Sequence, residues 1–98
     1  MAAQMAVVSV TSAGTAVRFT ATPTPIRRLT IFSPLSNAGP YQYVGGSDVS
    51  SAVYGAALPQ DGGGPVVIDF APGTGDLSDF YVDADTSADA ISYVAVLV

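Results

Sequence analysis

The sequence predicts an all-β domain, a β-sandwich or small barrel of seven to eight short antiparallel strands. Three observations carry that expectation. Apolar residues alternate in short runs, with no sustained 3.6-residue period. Pro, Gly, Asn and Asp clusters break the chain every eight to twelve residues. Glu and Lys, the usual wet-face residues of helices, are both missing from the 98 residues.

Taken in order, Met5 to Val10 forms a first strand, ended by Ser12-Ala13-Gly14. Thr15 to Ala21 forms a second, with Val17, Phe19 and Ala21 on one face and Arg18, Thr20 and Thr22 on the other. Pro23-Thr24-Pro25 stops it, because proline cannot donate to a ladder. Ile26 to Ser33 is a third strand, with Leu29 and Ile31 opposite Arg28, Thr30 and Phe32. Pro34 and Asn37-Ala38-Gly39-Pro40 make a loop before an aromatic strand, Tyr41 to Val44.

Ser47 to Leu58 reads as an ordered loop anchored by Val53 and Tyr54, and Gln60 to Pro65 as a glycine turn. Val66 to Ala71 is a strand with Val66, Ile68 and Phe70 on one face and Asp69 on the other. Pro72 to Asp76 is a turn. Phe80 to Ala84 is a strand with Phe80 and Val82 inward and Tyr81 and Asp83 outward. Ala90 to Val98 is apolar on both faces: Ile91, Tyr93, Ala95 and Leu97 on one, Val94, Val96 and Val98 with Ser92 on the other. One face of this strand meets the second sheet. The other is covered either within the fold or by a neighbouring subunit, since a flat apolar edge would aggregate.

At 98 residues the chain is one domain, residues 1–98. Only 11% of residues are charged, against a usual share of about 25%, so apolar surface is left over for a partner. The net charge of −5 is unevenly placed. Arg18, Arg27 and Arg28 precede all eight acids, which start at Asp48. Either the fold carries one basic and one acidic face, or folding mixes the charges. An acidic chain with three cations is a poor ligand for phosphate backbones, so no nucleic-acid partner is expected. No run reaches the roughly 18 apolar residues of a membrane span, and Met1 to Val10 has no basic leader pattern. Folding in the cytoplasm is expected.

The missing residue types argue against catalysis. There is no His, Cys or Lys, hence no imidazole base, thiolate or Schiff-base amine. No catalytic residues, metal or cofactor are expected. Asp83, Asp85 and Asp89 have the alternation of a calcium loop but lack its glycine and closing glutamate. They read as turn acids. Asp76 and Asp79 have no spacing that implies a glycosidase cleft.

Contact residues are better candidates. Arg27 and Arg28 are adjacent on a strand, so one should point toward the core face and need a carboxylate or an interface. Tyr41, Tyr43, Tyr54, Tyr81 and Tyr93 can offer a sugar-stacking or protein-binding surface, although strands favour tyrosine in any case. Arg27, Arg28, Tyr41, Tyr43, Val94, Val96 and Val98 form the expected contact set for a neighbouring subunit or the capsid.

Several segments together resemble a type of small tailed-bacteriophage virion protein. They are Arg28 to Asn37 (RLTIFSPLSN), Tyr43 to Ser50 (YVGGSDVS), Gly55 to Pro59 (GAALP) and Asp76 to Val82 (DLSDFYV). The resemblance covers about Arg27 to Val94, and its order of pieces is more distinctive than any single piece. It implies a capsid decoration, or cement, protein: a β-sandwich or jelly-roll-like structural protein, often a homotrimer. Such a protein sits on the outer shell of the virion and bridges copies of the major capsid protein. It implies no residue-level interface. Similar small proteins occur in tails and fibres, so a module recognising host-surface glycan is the alternative.

Overall fold

In the computed structural model, which describes residues 3–34, 37, 39–59, 65–71 and 73–98, two antiparallel sheets enclose one core. Strands β1 (Ala3–Ser9), β9 (Ala90–Leu97), β3 (Pro25–Phe32) and β6 (Val66–Asp69) form the first sheet in that order. The short β7 (Gly75–Asp76) shares the outer side of β3 with β6. Strands β2 (Val17–Arg18), β8 (Tyr81–Ala84), β4 (Tyr41–Gly45) and β5 (Ala56–Pro59) form the second. The expected all-β sandwich is the observed architecture. Residues 60–64 of the glycine turn expected over Gln60 to Pro65 lie outside the described residues, as do Leu35, Ser36, Ala38 and Pro72 of two expected loops.

The alternating runs place the core. Leu29 and Ile31 of β3, and Ile91 and Ala95 of β9, are completely buried, as are Val82 of β8 and Leu58 of β5. Each of these side chains larger than alanine contributes about 1.5–3 kcal/mol through burial. Aromatic rings join in a chain within the core. Phe19 stacks on Tyr93 at 5.4 Å and lies 6.1 Å from Phe80, which meets Phe70 edge-on at 5.9 Å.

Several expectations are corrected. The second strand is only two residues long, because the Thr20 hydroxyl accepts the Thr22 amide and turns the chain early. Strand β5 falls largely within the segment, Ser47 to Leu58, that the sequence predicts as an ordered loop. Its neighbours Val53 and Tyr54 are half exposed rather than anchors, and Val49 is the buried anchor instead. The expected turn into Asp76 contains β7 and leads into a 3-10 helix, Leu77–Asp79, whose N-cap is Asp76.

Arg27 and Arg28 do not point to opposite faces. The register of β3 against β9 shifts between Ile26 and Arg28. Arg27 is the extra residue of this bulge, so both arginines are exposed.

Asp83 is buried rather than outward. Its Oδ1 accepts the Gly14 amide at 2.9 Å and the Ala84 amide at 2.8 Å. The positive φ of Gly14 (+88°) allows the turn that delivers its N–H. Finally, β9 is no edge. It pairs with β1 on one side and β3 on the other.

A buried polar network ties the loop after β3 to the start of β9. By register, Pro34 would oppose Ala90, but proline has no N–H to give. The Asn37 side chain takes its place. Its Nδ2 donates to the Ala90 carbonyl at 2.7 Å, and its Oδ1 accepts the Ala90 amide at 2.8 Å. Nδ2 also donates to Ser33 Oγ at 2.9 Å, and Ser33 Oγ donates to Gln42 Oε1. Asp89 Oδ2 accepts the Gly39 amide at 2.7 Å.

Candidate functional site

The outward side chains of the first sheet form cross-strand rows fixed by register. One row runs Ala3, Val96, Arg28, Asp69; the next runs Met5, Val94, Thr30, Val67; the third runs Val7, Ser92, Phe32. An outer sheet face is normally polar. Here Met5, Val7 and Val67 are 71%, 62% and 51% exposed. Val94 and Val96 are half-buried by their neighbours, and Phe32 is partly exposed. Val98 follows the end of β9 and is also exposed.

Charge enters this face at one corner. Arg28 Nε donates to Asp69 Oδ1 at 2.6 Å, directly across the strand pair. Both side chains are mostly exposed, so solvent screens the pair and it adds little to stability. It does neutralise the corner. Arg27 lies beside it, and among the described residues its guanidinium has no ion-pair partner. Arg27, Arg28, Asp69, Phe70 and Val96 surround an open concavity of about 460 Å³.

The opposite, outer face of the second sheet is aromatic. Tyr41 and Tyr43 project from β4, and Tyr54 folds onto Tyr43 from the loop before β5. Ring centroids are 6.4 Å apart for Tyr41–Tyr43 and 5.2 Å for Tyr43–Tyr54. The Tyr43 hydroxyl donates to Asp85, with Oδ1 at 2.9 Å and Oδ2 at 3.0 Å. Burial, and then the Asp85 carboxylate, push the Tyr43 phenol up to about 12. Arg18 sits nearby over the Tyr81 ring at 5.6 Å, and its Nε donates to the Ser78 carbonyl at 2.6 Å.

The fold therefore splits the expected contact set. Arg27, Arg28, Val94 and Val96 share the face of the first sheet. Tyr41 and Tyr43 lie on the face of the second. The arginines are divided as well, since Arg18 joins the tyrosine side, so neither face is purely basic or purely acidic. No protein-family model, curated protein or solved structure matches this chain.

The acids are dispersed among separate partners. Asp83 accepts backbone amides, Asp85 accepts Tyr43, and Asp89 accepts Gly39. Among the described residues no three acidic side chains gather as a metal site would need. Asp76 accepts the Thr24 amide, the Ser78 hydroxyl and the Ser78 amide, and these bonds hold its carboxyl below the usual range.

Sequence reading missed Met5, Val7 and Val67 as members of this exposed apolar face. The signal was present. Met5 and Val7 alternate with Ala6 and Val8, so β1, like β9, is apolar on both faces.

Proposed function

We propose that the protein is a structural, non-enzymatic virion component. In this reading it is a capsid decoration protein, made in the host cytoplasm. It seats on the major capsid protein at the capsid surface, as a homotrimer, and bridges neighbouring subunits. The supporting observation is the exposed aliphatic face of the first sheet, with Met5, Val7 and Val67 open to solvent. A sheet face of this kind is stable in water only at the expense of solubility, unless another surface covers it.

Size favours a lattice over a solitary pair. Four strands and about six residues of rise give a footprint of roughly 400 Å². A standard interface buries about 800 Å² per partner. One such contact is weak, and many copies on a repeating shell hold through avidity. Beside the neutralised Arg28–Asp69 pair, Arg27 offers one cation to an acidic capsid neighbour. The resemblance of Arg27 to Val94 to small phage virion proteins points the same way. The absence of His, Cys and Lys from the sequence supports a mechanical role over a chemical one.

The test is stoichiometry in purified virions, by mass spectrometry against the major capsid protein. A ratio near one, or a simple fraction of it, is expected. A few copies per particle would overturn the decoration reading and place the protein in a tail or fibre.

A further inference from the structure

From the second sheet we infer a binding site for a neutral oligosaccharide, formed by Tyr41, Tyr43 and Tyr54 with the Asp85 carboxylate at its edge. The inference stands apart from the shell proposal, because the site lies on the face opposite the aliphatic one. Both faces can be occupied together.

Three of the five tyrosines meet at this one place. Tyr43 is the floor and is only 7% exposed, while Tyr41 and Tyr54 flank it at 46% and 50% exposed. The rings are tilted to one another by 32° and 36°, so none stands perpendicular as a wall. A pyranose ring presents a flat face of C–H groups, and such faces pack on open aromatic surfaces. The exposed rings, Tyr41 and Tyr54, are two separate platforms joined through the buried Tyr43, which suits a ligand of more than one sugar unit.

The placement is built into the backbone. Gly55 donates its amide to the Val44 carbonyl at 2.8 Å, which returns the loop to β4 and sets Tyr54 over Tyr43. A Cβ at Gly45 would sit 3.2 Å from Val49 Cγ2 and 3.3 Å from the Gly55 nitrogen. Glycine at 45 therefore permits this close return. Asp85 is fixed by two contacts: its backbone amide donates to the Tyr41 carbonyl at 3.2 Å, and its carboxylate accepts from the Tyr43 hydroxyl.

The chemistry selects the ligand. A carboxylate has about four acceptor positions, so Asp85 retains capacity for sugar hydroxyl donors after Tyr43 is served. Proline-rich segments also dock on aromatic surfaces, but their prolines have no N–H for Asp85 to accept. Acidic sugars would meet the Asp85 charge on a chain of net charge −5.

The experiment titrates the isotope-labelled protein with cellotriose, maltotriose and chitotriose, with trigalacturonate and a decaproline peptide alongside. Backbone amide shifts locate binding. Tyrosine emission gives the affinity, since the chain has no Trp. At least one neutral trisaccharide should shift residues 41–43, 53–55 and 85. Tyr41→Ala and Tyr54→Ala, both at exposed positions, should each weaken binding roughly 2- to 12-fold. Asp85→Asn should weaken it while the amide spectrum elsewhere stays intact. Trigalacturonate should leave those residues unmoved. The inference is overturned if no neutral trisaccharide moves them, if the shifts fall elsewhere, or if decaproline or trigalacturonate binds there in preference. None of these results bears on copy number in the virion, so the two proposals fail separately.

Discussion

Replacing Asn37 with alanine tests whether one side chain completes the first sheet where Pro34 cannot. The substitution removes three hydrogen bonds: two to the backbone of Ala90 and one to Ser33 Oγ. Ser33 keeps its bond to Gln42, so its loss is partial. The Ala90 N–H and C=O are the costly groups. Asn37 and Ala90 are both buried, at 7% and 7% exposed, and each orphaned backbone group costs about 1–3 kcal/mol. The expected destabilisation is therefore about 2–6 kcal/mol. Against a typical total of about 5–15 kcal/mol, that is a large fraction. Urea unfolding followed by tyrosine emission measures it as a fall in midpoint at unchanged slope. A loss below about 1 kcal/mol would refute the reasoning, because the Ala90 groups would then have found other partners.

Tyrosine absorbance near 295 nm should show one of the five phenols titrating near 12, and Tyr43→Phe should abolish that step. Because folding raises this group's pKa, its contribution to stability is complete below about 10 and is lost as pH climbs toward 12. Unfolding midpoints should fall across that window in the wild type more steeply than in Tyr43→Phe. Ala88 holds a φ of +73°, a conformation that costs an L-residue about 1–2 kcal/mol. Ala88→Gly should therefore raise the unfolding midpoint, and a fall would show that the turn is not strained. The double variant Met5→Thr, Val7→Thr should change monomer stability by no more than about 1 kcal/mol, and under the proposed decoration role it should also weaken attachment to the capsid. Severe unfolding of that variant would mean the face belongs to the core.

Much of the fold was legible because alternation has one dominant cause. Leu29 and Ile31, or Ile91, Tyr93 and Ala95, face the core in any arrangement that buries an apolar stripe. Strand β5 was not legible. In Ala56-Ala57-Leu58-Pro59 only Leu58 is fully buried, and the run has no β-branched residue and ends in proline. Asp83 was misplaced because its burial depends on the Gly14 amide, which lies far away in sequence. The paired arginines were misplaced because a single bulged residue breaks period-two counting. Tyr41 and Tyr43 were recognisable as an aromatic strand. Their junction with Tyr54 and Asp85 required the pairing of β4 with its two neighbours, which no local pattern carries.

The central place of β9 has a consequence for how this molecule comes into being. Its partners β1 and β3 are synthesised long before it, and Ala3 must wait for Val96 before its pairing is complete. Until residues 90–97 emerge, β1 and β3 have no common neighbour and both present naked ladder groups beside aliphatic side chains. Closure is therefore a late event that joins distant parts of the chain, which makes folding slow relative to helical domains of similar size. During that interval the nascent chain is vulnerable to association with its own copies. Any truncation within 90–97 removes the seam of the first sheet, and the protein should then be lost to aggregation rather than merely weakened.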